Sequence, residues 1–189
     1  SPGNRRYHSN LLFSLIGSAD QDGPSLLAEH RDWHERHASS LDIFVTQQSR
    51  SDDPERRLRI GYVSSDFRSH PVGRIVRSVI AAHDRAVVEV FCYSGTARPD
   101  NITTETEAAS DYWRSINNLS DDAVSNVIGE DEIDILVDLS GHSAKNRLTV
   151  FARKPAPIQA SWLGYMSTTG LTAIDYYIGD ETHTPEEFD

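Results

Sequence analysis

The chain has 189 residues, 38% of them hydrophobic and 25% charged, with 18 basic against 29 acidic side chains and a formal net charge of −11. That length suits one well-packed domain, the composition excludes a disordered tail, and no apolar stretch nears the roughly 18 residues of a membrane span. An acidic balance with no basic patch visible along the chain argues against binding to nucleic acid or to an anionic membrane, and the single cysteine, Cys92, excludes an internal disulfide and suits a reducing cytoplasm.

Ser1 to Arg6 has no apolar core of a leader and reads as a linker. Leu11, Leu12, Leu15 and Ile16 mark one face of a helix predicted over 9–17, and a second is predicted over 25–39. Asp20-Gln21-Asp22-Gly23-Pro24 between them is turn chemistry. A polar connector over 49–55 closes this helical preface, residues 1–57. From Leu58 the pattern changes to short β-branched and aromatic runs alternating with helical windows, the mark of βαβ units. Strands are predicted over 59–64, 87–93, 133–139, 158–163 and 176–178, with a weaker one over 113–116. Helices are predicted over 72–83, 103–110, 121–130 and 146–152. Ile135-Leu136-Val137 is continuously apolar, as in a strand covered on both faces. The fold class is therefore α/β, doubly wound, with a mainly parallel sheet over 58–189. Thr184-Pro185-Glu186-Glu187 has the chemistry of a helix start, so the natural polypeptide is expected to continue.

Ligands of such sheets bind beyond the carboxyl ends of the strands, which directs attention to Ser64-Ser65-Asp66-Phe67, Ser140-Gly141-His142 and Gly164-Tyr165-Met166. Two roles are open to the first group on the residues alone. At the mouth of the sheet Asp66 and His70 can act as acid, base or hydrogen-bond partner; equally, Asp66 can order the loop and His70 cap the helix that Pro71 begins. The segment from Pro155 to Gly170 is a binding loop by composition, because glycine and hydroxyl residues let backbone N–H groups approach sugar or phosphate oxygens. It reads equally as a strand followed by an ordinary turn. His30, His34 and His37 share a helix face, read as solvated rather than metal-binding, and His34-Glu35-Arg36-His37 is one residue short of the zinc-protease pattern. The dinucleotide glycine fingerprint, the P-loop and the G-x-S-x-G elbow are all absent from the sequence. No metal is expected.

The segments Arg59 to Phe67 with His70-Pro71, Asp134 to His142, and Pro155 to Gly170 resemble the amino-terminal catalytic lobe of the O-GlcNAc transferase and SPINDLY-like group in its bacterial form, with the match running from about Tyr7 onward. The resemblance implies the Rossmann-like amino-terminal lobe of a GT-B glycosyltransferase. Such a lobe is usually preceded by tetratricopeptide repeats and acts with a carboxyl-terminal lobe that this chain lacks. It implies a cytoplasmic enzyme that moves N-acetylglucosamine from UDP-GlcNAc to Ser or Thr hydroxyls of an acceptor protein, with inversion and without a cofactor; fucose is the alternative sugar. Asp66, His70 and His8 are then the catalytic residues. Leu163, Gly164, Tyr165, Met166, Thr168 and Thr169 form the wall against the sugar. The family commonly has Gly-Tyr-Pro-Gly-Thr where this chain has Gly164-Tyr165-Met166-Ser167-Thr168, which changes the stiffness of that loop. The competing classes are a non-catalytic binding module of the same fold and a nicotinamide-dependent oxidoreductase, the latter disfavoured by the missing glycine fingerprint.

Overall fold

The computed structural model describes residues 3–41 and 53–182. The helix start at Thr184 and most of the connector over 49–55 lie outside the described residues. In chain order the elements are α1 (Arg5–Leu15), α2 (Gly23–His37), β1 (Leu58–Ser64), α3 (Pro71–Ala82), β2 (Val88–Ser94), α4 (Asn101–Ala109), β3 (Tyr112–Ser115), α5 (Asp121–Glu130), β4 (Ile135–Asp138), α6 (Leu148–Ala152), β5 (Ile158–Trp162) and β6 (Tyr176–Ile178). Among the described residues all six strands join one sheet in the order β3-β2-β1-β4-β5-β6, and every neighbouring pair is parallel. The direction of winding reverses between β1 and β4, where a doubly wound sheet opens its ligand crevice.

Successive residues of a strand face opposite sides of a sheet, and the two cores follow from that rule. Val63, Tyr93 and Leu136 point into one apolar layer with α5 and α6. Their neighbours Tyr62, Cys92 and Val137 point into the other, against Val72, Val76 and Ile80 of α3. Leu12 of α1 and Trp33 of α2 are fully buried in the first layer, so the preface helices share a core with the sheet. Cys92 is buried too, and its thiol is pushed up to about 12 by that burial.

Local chemistry sets the helix boundaries. Asp22 caps α2 by accepting from Ser25 N–H at 2.8 Å, Asp100 and Thr103 close a capping box on α4, and Ser120 caps α5 ahead of Asp121 and Asp122. The first helix begins at Arg5, earlier than the expected 9, because Asn4 caps it and its first turn is polar. The last begins at Leu148 rather than 146, since Arg147, at φ −122° and ψ 32°, is not helical and stands as its N-cap.

Candidate active site

The loop after β1 carries Asp66 and His70 to the mouth of the sheet. Asp66 N–H donates to Ser64 Oγ at 2.9 Å, and Arg68 donates twice to Asp66 Oδ1, at 3.1 and 2.8 Å. His70 caps α3, its Nδ1 accepting from Val72 N–H at 3.3 Å and lying 3.9 Å from Asp66 Oδ2. With Nδ1 an acceptor, the neutral ring carries its proton on Nε2. The ordering and capping roles are thus both realised, and they hold the two side chains together at the strand end. Behind them, Ser69 N–H donates to Asp100 at 2.6 Å and Thr103 Oγ1 donates to Phe67 carbonyl at 2.7 Å, which ties the loop to α4.

Gly73 lets α3 pass directly beneath this loop, because a Cβ there would meet the carbonyl oxygens of Arg68 at 2.3 Å and of Asp66 at 2.4 Å. Both obstacles are backbone and cannot swing away. Gly73→Ala is therefore expected to lower stability by about 1–3 kcal/mol despite alanine's better helix propensity. Urea unfolding measures this; an unchanged midpoint would mean that the loop sits higher above the helix.

The loops after β4 and β5 interlock. Asp138, buried at the end of β4, accepts from Ser140 N–H at 3.1 Å and Gly141 N–H at 2.8 Å. Burial pushes its carboxyl up to about 6, against those two donors and the Ser161 hydroxyl. Gly164 packs so closely that a Cβ would lie 1.9 Å from Leu139 carbonyl oxygen, and Gly141, at φ +50°, would strike Tyr165. Leu163 itself takes φ 68°, a left-handed conformation costly for a branched side chain and of the kind that accumulates at ligand sites.

The wall expected from Leu163 to Thr169 divides in two. Met166 (72% exposed) and Thr168 are open to solvent, and with Ser167, Ser161 and Tyr176 they line a cavity of about 360 Å³. Tyr165 and Thr169 are buried instead. The Tyr165 hydroxyl donates to His30 Nε2 at 2.7 Å, and Thr169 carbonyl accepts from His142 Nε2 at 2.8 Å. The Tyr165 side chain and the Thr169 backbone thus anchor the loop to the protein interior.

Their partners were missed or misjudged in the sequence. His30, expected on a solvated face, is fully buried, its Nδ1–H donating to Leu26 carbonyl at 2.6 Å. His142 is equally buried, accepts at Nδ1 from the Ser9 hydroxyl at 3.1 Å and has Trp33 edge-on at 4.9 Å between ring centroids. Burial drives its pKa down to about 3, so the ring stays neutral. The only signal for His142 was its place just after a buried strand. His8 is turned onto α2: its Nδ1 is 3.1 Å from His37 Nε2 and its Nε2 is 3.9 Å from Asp32. Burial lowers the pKa of His8, and among the described residues its polar contacts run to α2 rather than to Asp66 or His70. His8, Glu29 and Asp32 bring one ligand atom each within 4.8 Å of one another, but Arg36 pairs with Asp32 at 2.8 Å and competes for that carboxylate.

An all-parallel sheet wound in the order β3-β2-β1-β4-β5-β6, with paired loops at its strand ends and helices on both faces, is a doubly wound, Rossmann-like lobe. Residues 38–189 match the sequence model of Glycosyl transferase family 41, and the chain belongs to that family. A probable UDP-N-acetylglucosamine–peptide N-acetylglucosaminyltransferase SPINDLY from Petunia hybrida is 36% identical over 97% of this chain and 20% of its own length. The UDP-N-acetylglucosamine–peptide N-acetylglucosaminyltransferase of Caenorhabditis elegans is 39% identical over 69% of this chain and 12% of its own. Among solved structures, a mutant of Thermobaculum terrenum O-GlcNAc transferase superimposes with a TM-score of 0.89 at 45% identity, covering 95% of this chain and 34% of that one. The chain thus spans between 12% and 21% of the length of the curated relatives it matches.

Proposed function

We propose that this lobe is one wall of the catalytic cleft of an enzyme that transfers N-acetylglucosamine from UDP-GlcNAc to Ser or Thr hydroxyls of proteins. The observation that carries the reading is the loop from Ser64 to His70, fixed at the carboxyl end of β1 with Asp66 and His70 side by side. In an inverting transfer the acceptor oxygen bonds to C1 of the sugar as the bond to the diphosphate breaks, and the hydroxyl proton must go to a base. His70 or Asp66 takes or orients that proton. The exposed part of the loop after β5 faces the sugar, and a second lobe supplies the cations and backbone donors for the departing diphosphate.

The nearer likeness to a bacterial structure, 45% against 36% for the petunia relative, supports a bacterial parent, which in this group carries tetratricopeptide repeats. The single cysteine, Cys92, is buried, and so sparing a use of cysteine fits a cytoplasmic setting. Among the described residues no helix is long and apolar enough to cross a membrane.

The test supplies a protein carrying both lobes with UDP-GlcNAc or, separately, GDP-fucose, and follows a Ser/Thr peptide by mass spectrometry. Addition of N-acetylhexosamine alone is the expected result. Fucose addition would change the donor. Tight UDP-GlcNAc binding without transfer would favour the non-catalytic module, towards which the exposed Met166 in place of the family's proline points.

A further inference from the structure

A basic pocket, invisible along the sequence, forms where the start of α1 meets the loops after β1 and β4. It has a volume of about 350 Å³ and is lined in part by Arg5, Arg6, Ser65, Asp121, Lys145 and Arg147. Four cations thus meet one carboxylate in a chain whose net charge is −11. Asp121 is already committed: Arg5 pairs with it at 2.8 Å, Arg147 at 2.7 Å, and the Thr149 hydroxyl donates to it. Burial pushes its carboxyl up, but these donors outweigh burial and hold it below the usual carboxylate range. Arg6 and Lys145 are exposed and have no carboxylate partner among the described residues. Lys145 is held at the rim by its left-handed backbone and by Ser65 Oγ, which donates to its carbonyl at 3.0 Å. Ser65 also precedes Asp66, so the pocket opens beside the loop proposed to receive the acceptor hydroxyl.

We propose that this pocket binds an oxyanion, carboxylate or phosphate, carried by the acceptor polypeptide a few residues from the hydroxyl that is glycosylated. Guanidinium and ammonium groups with no counter-ion attract such groups, and the pocket suits a side chain better than a whole nucleotide sugar. The inference rests on the proposed transfer to polypeptides. Its test measures binding without donor, so it succeeds or fails independently of turnover.

The experiment titrates a protein carrying both lobes into a fluorescein-labelled peptide with Glu or phosphoserine beside a single Ser, and into its counterpart with Gln, following anisotropy. The acidic peptides are expected to bind about tenfold more tightly, with the preference shrinking as salt is raised. Reversing charge in Arg6→Glu with Lys145→Glu should abolish the preference. Circular dichroism checks that this variant folds; if it does not, Lys145→Gln carries the same test, with a smaller loss. Displacement of the acidic peptide by excess inorganic phosphate supports the shared oxyanion chemistry. Equal binding of acidic and neutral peptides, with or without phosphate binding, overturns the proposal. So does a preference that survives the substitutions, or displacement by UDP, which would assign the pocket to the donor.

Discussion

Replacing His70 by Ala in a protein carrying both lobes is expected to lower the rate of sugar transfer by about 10²- to 10⁴-fold, the range spanned by positioned acid–base groups. The same change removes the cap on Val72 N–H and should cost about 1 kcal/mol of stability. His70→Asn separates the two effects, because asparagine is among the best helix caps but cannot serve as a general acid or base. Stability close to the parent with the same loss of kcat would assign the ring to chemistry. If His70→Asn retains activity within twofold, His70 serves the helix alone and the catalytic reading fails. Asp66→Asn probes the partner: it keeps the loop's shape but weakens the Arg68 pair at 2.8 Å.

The second large effect is on stability against pH. His142 stays neutral in the folded chain with its pKa driven down from 6.5 to about 3, and burial lowers His30, His8, His37 and His83 in the same direction. The unfolded chain takes up protons at its ordinary histidine pKa while the folded chain does not. Stability from these groups is therefore complete above pH 6.5 and lost as pH falls toward the folded value. Each fully buried histidine contributes up to about 1.4 kcal/mol per pH unit in that window. The more exposed His8 and His37 contribute less because water screens them.

Asp138 has the opposite sign: with its pKa raised from 3.8 to about 6, its contribution is present at low pH and lost as pH rises through 6. Lowered histidines outnumber it, so net acid lability is expected in urea unfolding across the window below pH 6.5. His142→Gln can still donate to Thr169 carbonyl but cannot take a proton, and it should flatten the acid limb by about 1.4 kcal/mol per pH unit. An acid limb of unchanged slope would mean that His142 titrates normally in the folded chain.

The sheet was legible because strand and helix differ in period, and all six expected strands lie in it. Even the weak strand over 113–116 appears, shifted by one residue to Tyr112–Ser115. Asp66 and His70 were legible because loops after parallel strands must open at the mouth. What the sequence hid depends on partners far along the chain. His30 looked like part of a polar face because the hydroxyl that satisfies it, on Tyr165, lies 135 residues away. Nothing local shows that Tyr165 bonds to His30 of α2, or that Thr169 bonds through its carbonyl to His142. The left-handed Leu163 breaks no sequence rule that could announce it, and the basic pocket gathers Arg5 and Arg6 with Lys145 and Arg147 from opposite ends of the fold.

The proposed transfer requires the lobe to be half of a cleft. Calorimetric titration of UDP-GlcNAc tests that most directly, into the 189-residue chain alone and into a protein carrying both lobes. Weak or undetectable heat from the chain alone, and saturable binding at least about a hundredfold tighter when both lobes are present, is the predicted pair of results. Equal affinity for the two proteins, or no binding to the two-lobed one, would contradict it.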